Sequence, residues 1–171
     1  QLVNPMFPKL ALLALVALSM PAQSSDEAVV SGDWVRYAVP GEGSPLHALE
    51  TLEAIAGLTV TVTCTLRDER IVEEILLHNS GFAEIPAGSS FDVTFVFAQD
   101  DLRRHVDTAL RADPRHESLT VAGSQTALLA GMRDYQSVTI SQGDVEVTES
   151  PVPLNGFAEG LDAMRQICGK D

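Results

Sequence analysis

Two cysteines, Cys64 and Cys168, are the residues of this sequence with the most definite chemistry. Neither belongs to a Cys-x-x-Cys pair, and no histidine lies near either one at the spacing of a metal site. Two lone cysteines in an exported chain are typically joined in a disulfide. Such a bridge would close a loop of ~100 residues, worth up to about 4–5 kcal/mol through chain entropy. We therefore predict a structural Cys64–Cys168 disulfide, with a reactive or metal-binding thiol as the alternative.

The other residue types that could support catalysis form no complete motif. The segment 88–91 (Gly-Ser-Ser-Phe) lacks the closing glycine of a nucleophile elbow, and no Ser-x-x-Lys occurs. His-Glu-x-x-His is absent, and no two histidines lie four residues apart. Asp101 and His105 would share one face of a helix, where a solvent-exposed contact explains them better than half of a metal site. We therefore predict no catalytic, cofactor-binding or metal-binding residues.

The chain is strongly acidic, with 24 acidic and 11 basic residues and a formal net charge of −13 at pH 7. Without Lys9, the one charged residue that precedes Asp26, the charge becomes −14. Such a surface repels phosphate backbones, which argues against nucleic-acid binding. It favours either simple solubility or a cationic partner.

The densest basic group consists of Arg103, Arg104 and Arg111. We expect intramolecular pairing of these arginines with Asp100, Asp101 and Asp107. A docking patch for an anionic group is the alternative interpretation.

The front of the chain has the pattern of a secretory signal peptide. Lys9 supplies the positive region, residues 10–18 form a nine-residue apolar run, and the small residues Ala22 and Ser24 suit cleavage before Ser25. The apolar run is too short to span a bilayer, and no later stretch approaches the necessary length. We therefore predict upstream residues at 1–5, a signal peptide at 6–24 and a single globular domain at 25–171. The product would be periplasmic or secreted, with no stable membrane anchor after cleavage.

Alternation of residue types gives the clearest strand, at 58–66, where the apolar residues and Cys64 face one way and four threonines face the other. Further strands are predicted at 32–38, 71–78, 91–97 and 118–122, with a hairpin over 135–140 and 145–148. Helices are predicted at 45–57, with Pro45 in its first turn; at 99–112, with Asp100 as its cap; and at 153–168. The segment 124–133 is predicted to be a short helix or a turn.

This order of elements predicts an α+β domain. Strands that alternate Thr and Val favour an antiparallel sheet with one solvated face. The fold class is therefore an antiparallel β-sandwich-like domain with helical insertions at 45–57 and 99–112 and a C-terminal helix attached by the disulfide. Trp34, the single tryptophan, is expected to anchor the core rather than to serve as a ligand platform.

The C-terminal half contains a succession of segments found in some exported proteins. A small-residue segment at 124–135 leads to a hairpin, then to the step Pro-Leu-Asn-Gly-Phe at 153–157 and a helix that ends in Cys168. With Trp34 and the strand of Cys64, this resembles exported proteobacterial proteins of the invasion-associated locus B type, and it is similar to the type VI secretion accessory protein VasI. The sequence departs from the locus B type in having fewer cysteines and in its two helical insertions. The resemblance implies a non-enzymatic periplasmic protein and transfers no catalytic residue.

Three functions follow as hypotheses. The first is a periplasmic binding or accessory protein without catalysis, whose partner is another envelope protein. The second is an inhibitor of a cationic envelope enzyme such as a lysozyme, because the chain is so acidic. The third is a small exported hydrolase whose site assembles from dispersed residues, which a cleft with convergent histidines or carboxylates would favour.

Overall fold

The structure is a computed structural model that describes residues 27–40 and 43–170. The predicted signal peptide at 6–24 and the residues 1–5 before it lie outside the described residues. These boundaries, and that of the globular domain at 25–171, therefore stay predictions. Within the described ranges, no helix has the length and apolar character that crossing a bilayer requires.

The described residues form antiparallel strands and two α-helices. The strands are β1 (Val29–Ser31), β2 (Trp34–Val39), β3 (Leu46–Thr51), β4 (Thr59–Arg67), β5 (Arg70–His78), β6 (Ser90–Gln99), β7 (Leu102–Asp113), β8 (Ser118–Ala122), β9 (Ser137–Gln142), β10 (Val145–Glu146) and β11 (Val152–Pro153). The helices are α1 (Thr126–Asp134) and α2 (Phe157–Cys168). Short 3-10 turns lie at Ser80–Glu84 and Pro114–His116.

Hydrogen bonds join the strands in the order β1-β2-β3-β4-β5-β8-β7-β6-β9-β10, and β11 pairs with β9. Every one of these pairings is antiparallel. Strands from both halves of this order contribute inward-facing residues to one core, which includes Val62, Ile75, Phe95, Leu110 and Ile140. The architecture confirms the predicted α+β class with a sandwich-like antiparallel sheet and a C-terminal helix.

The helix predicted at 45–57 is wrong, because β3 occupies this part of the chain. The leucines at steps of three do not share a face: Leu49 is fully buried, whereas Leu52 is 48% exposed. His47 and Thr51 are buried together with Leu49, which is the period of two of a strand. Backbone pairing with β2 and β4 on both sides outweighs a weak local preference for helix.

The helix predicted at 99–112 is also wrong, because β7 pairs with β6 over ten residue pairs, from Leu102↔Gln99 to Arg111↔Ser90. Asp100 has a φ of 48° in the turn of this hairpin, so it is a left-handed turn residue and no helix cap. Leu102, which a helix would turn inward, is 65% exposed. Both predicted helical insertions are therefore strands of the sheet.

The predicted pairing of the basic group is not observed. Arg103 donates hydrogen bonds to the backbone carbonyls of Asp100 and Leu102, at 2.6 and 2.8 Å. The Asp107 carboxylate instead accepts a hydrogen bond from Thr94 on β6, at 2.6 Å. In the described part of the chain, no ion pair joins Arg103, Arg104 or Arg111 to an aspartate. A strand separates these residues along its length, so they cannot gather on one helical face.

Helix α2 packs onto the sheet and is bonded to it. Its apolar face is fully buried, and the disulfide Cys64–Cys168 joins its last residue to β4, with 6.2 Å between the two Cα atoms. This confirms the predicted bridge. One turn earlier, Arg165 Nε and Nη2 donate to the two carboxylate oxygens of Glu73 on β5, at 2.6 and 2.9 Å. The C-terminal helix is therefore held by a covalent bond and by a bidentate ion pair.

Trp34 anchors the core where β2 begins, as predicted. Its side chain is fully buried, and its ring meets Phe157 of α2 edge-on at a centroid distance of 4.9 Å. The indole Nε1 donates to the carbonyl oxygen of Pro153 at 3.1 Å. The indole therefore links β2 to the chain that leads into α2.

Candidate binding cleft on the outer sheet face

A cleft of ≈ 490 Å³ lies on the outer face of β2, β3, β4, β5 and β8. It exists because β4 alternates: Val60, Val62 and Cys64 enter the core, while Thr59, Thr61 and Thr63 line the cleft. Its apolar lining comes from Val39, Leu46, Ala48 and Leu76. The outer face that the sequence predicted to be merely solvated therefore contains a concave surface.

The floor of the cleft is recessed, although its residues point away from the core. Thr61 is 4% exposed, and Ala48 and Ser118 are each 2% exposed. These values are as low as those of core residues. A concave surface with a recessed floor is what a preformed binding site requires.

Glu50 is the central polar group of the cleft. Tyr37 Oη and Thr61 Oγ1 both donate to its Oε2 oxygen, at 3.1 and 2.9 Å. Strand register explains the contact: Thr61 lies directly opposite Glu50, and Tyr37 lies opposite Ala48, diagonal to Glu50. Three neighbouring strands thus position one half-buried carboxylate.

The pKa of Tyr37 is raised from 10.0 to about 12, chiefly by burial, with smaller contributions from the charge of Glu50 and from the hydrogen bond to it. Because the folded pKa lies above the unfolded one, the folded state keeps a proton that the unfolded state loses. The stability that this provides is present below pH 10 and is lost between pH 10 and about 12.

We expect Glu50→Gln to lower the pKa of Tyr37 but to leave it above its ordinary value. The substitution removes the negative charge, whereas the burial that is the largest cause remains. The measurement is an ultraviolet titration of tyrosinate in a Tyr135→Phe background, so that Tyr37 is the tyrosine observed, with circular dichroism to verify folding at each pH. An identical Tyr37 titration with and without Glu50 would show that the carboxylate does not act on the phenol.

Two histidines and an aspartate border the other end of the cleft. His78 lies opposite Ser118, and Ser118 in turn lies opposite Asp113. The 3-10 turn after β7 brings His116 Nδ1 to 2.8 Å from Asp113 Oδ2, and this hydrogen bond is the main cause of a lowered Asp113 pKa. Both side chains of this pair are largely exposed to solvent.

A second depression of ≈ 490 Å³ lies beside α1, α2 and the start of β5. Its two arginines already have carboxylate partners: Arg165 pairs with Glu73, and Arg133 donates to both oxygens of Asp162. These hydrogen bonds raise the pKa of each guanidinium. The depression therefore offers a ligand no uncompensated cationic group.

Of the residues singled out in the sequence, the structure joins Cys64 and Cys168 as predicted. Asp101 and His105 lie in a turn and on an exposed strand rather than on a helix. Within the described residues, no group of three or more His, Cys, Asp or Glu side chains could hold a metal ion. The cleft residues Tyr37, Glu50 and Thr61 were missed, because assigning Glu50 to a helix removed it from the sheet.

The fold belongs to the antiparallel β-sandwich class with a C-terminal helix. No family model matches the chain, and no curated protein shows significant similarity to it. The chain is similar to the crystal structure of invasion associated protein B from Bartonella henselae, with a TM-score of 0.54 and 15% sequence identity. The match covers 82% of this chain and 96% of the other. The resemblance to the invasion-associated locus B type is therefore confirmed for the fold, and the similarity to VasI stays a prediction.

Proposed function

We propose that this chain is an exported, non-catalytic binding protein that contacts another envelope protein through the cleft on its outer sheet face. The observation that carries the proposal is the recessed polar floor. Outward-facing residues of β3, β4 and β8 are as inaccessible as core residues, yet they surround a half-buried carboxylate. Such a preformed surface suits recognition.

The compartment in this proposal is supported by the disulfide. Both cysteines are buried and bonded to each other, and disulfides of this structural kind persist in oxidising compartments. The fold similarity to invasion associated protein B adds support, because it extends over most of both chains. A periplasmic or secreted location agrees with both observations.

A dispersed hydrolase site is the second candidate function, and the Asp113–His116 pair beside the cleft favours it. A histidine oriented by a carboxylate is part of many nucleophilic sites. Here the pair is exposed, and its hydrogen bonds reach no hydroxyl group: the hydroxyls of Tyr37 and Thr61 donate to Glu50 instead. The geometry therefore supports binding more directly than catalysis.

Photo-crosslinking from the rim of the cleft tests the proposed function. The photoreactive residue p-benzoylphenylalanine at Val39, a cleft residue that is 40% exposed, is expected to capture a discrete partner in the exporting compartment. The matched control is the same residue at Leu102, which is apolar and more exposed but lies at the β6–β7 turn away from the cleft. Adducts from neither position, or the same adducts from both, would contradict a partner site at the cleft.

A further inference from the structure

We propose that the cleft receives a lysine or arginine side chain from a basic segment of the partner protein, with Glu50 as its counter-charge. This inference rests on the proposed function, because it names the chemistry recognised at the same site. The inhibitor of a cationic enzyme that the composition predicts would be one special case of such a partner.

The first argument is that Glu50 has no cationic partner among the residues that the structure describes. Tyr37 and Thr61, the donors to its carboxylate, are both neutral. No lysine or arginine is present among the described residues that line the cleft. Glu73, by contrast, is neutralised by Arg165, which donates to both of its carboxylate oxygens. A half-buried carboxylate without a counter-charge can gain a charge-assisted hydrogen bond from a ligand.

The second argument is the shape and composition of the floor. A basic side chain has an aliphatic stem and a charged end, and it binds best where apolar surface leads to an acceptor. The cleft offers the half-buried Leu46 and Leu76 together with the methyl groups of Thr59 and Thr63 around Glu50. An anionic or purely apolar ligand would leave the carboxylate either repelled or desolvated without a partner.

The third argument is the charge of the whole chain. The net charge of −13 attracts cationic proteins over long range and raises their rate of encounter. At the opposite end of the cleft, Asp113 is a second carboxylate, and the remaining ionisable groups there are His78 and His116. Successive basic side chains of one extended segment could therefore meet Glu50 and Asp113.

The test is the binding of a capped peptide of alternating lysine and serine, measured by calorimetry at low and at physiological salt. Glu50→Gln retains an oxygen acceptor for Tyr37 and Thr61 and is expected to weaken binding about tenfold or more, because a partly desolvated charge contact is lost. The matched control is Glu149→Gln, an exposed residue away from the cleft that gives the same net charge. It is expected to change affinity less than about twofold.

Three results would overturn this inference: no binding of the lysine peptide, equal binding of a peptide with glutamine in place of lysine, or equal losses in the Glu50 and Glu149 variants. Equal losses in the two variants would mean that the peptide is attracted to the acidic surface as a whole and not to Glu50. If the cleft position Val39 still captures a discrete partner while any of these holds, the ligand class is wrong and the proposed function survives. If crosslinking at Val39 also fails, both are wrong.

Discussion

Replacement of both Cys64 and Cys168 by alanine is expected to lower the free energy of unfolding by about 4–5 kcal/mol. The bridge joins residues 104 positions apart, so its loss restores much conformational freedom to the unfolded chain. Loss of two buried sulfur atoms acts in the same direction. The measurement is equilibrium unfolding in urea, with the midpoint and the slope fitted for both proteins.

The wild-type protein under reducing conditions separates the covalent link from the lost side-chain atoms. It keeps both sulfurs and the packing of α2, so its loss of stability reports the link itself. The slope of the transition should also rise, because the uncrosslinked unfolded state exposes more surface. A reduced protein as stable as the oxidised one would show that α2 is held by its buried face and the Glu73–Arg165 pair alone.

The parts of the fold that could be predicted are those whose local pattern agrees with their tertiary surroundings. In β4, apolar residues and threonines alternate along its length, and one row is buried as expected. The apolar residues of α2 recur at helical spacing, and that face lies on the sheet. In these segments the local residue pattern and the tertiary packing favour the same secondary structure, so the sequence pattern was sufficient to predict it.

The two wrong helices show where local pattern fails. In β3, leucines at steps of three fit a helical stripe, but only the presence of β2 and β4 on either side decides between helix and strand. In β7, Asp100 resembles a helix cap, yet it adopts a left-handed conformation that turns β6 back onto β7. In both segments the strand is formed because it pairs with other strands, β2 and β4 in one case and β6 in the other. A short window of sequence contains no information about that pairing.

The disulfide could be predicted because cysteine chemistry restricts the choice to one pair. The cleft could not be predicted, because the pairing register of neighbouring strands brings its polar residues together. Tyr37, Glu50 and Thr61 belong to three strands, and a shift of one residue in either pairing would turn them to opposite faces. The burial of His47, Leu49 and Thr51, which places Glu50 on the opposite, outer face of β3, becomes visible only in the structure.

Gly156 occupies a position where even one methyl group has no room. Its φ is +82°, and an added Cβ would lie 2.0 Å from the carbonyl oxygen of Ser31. The facing Gly32 is equally restricted, since its Cβ would lie 2.4 Å from the carbonyl oxygen of Asn155. Two hydrogen bonds hold the backbones together: Ser31 Oγ donates to Gly156 O at 3.0 Å, and Asp33 N donates to Asn155 O at 2.9 Å. This contact between the β1–β2 turn and the start of α2 explains the glycine in the Pro-Leu-Asn-Gly-Phe step.

We therefore expect Gly156→Ala to destabilise the protein by about 3 kcal/mol or more, because left-handed strain and a backbone clash act together. Gly143→Ala is the matched control: its φ is +60°, but no atom lies within 4 Å of the added Cβ. The strain of a left-handed alanine should by itself lower the free energy of unfolding of this control by about 1 kcal/mol. Urea unfolding of both variants with the disulfide intact gives the difference, and Trp34 fluorescence reports on the nearby core. Equal losses in the two variants would mean that backbone conformation, and not the close approach of β1–β2 to α2, requires glycine at 156.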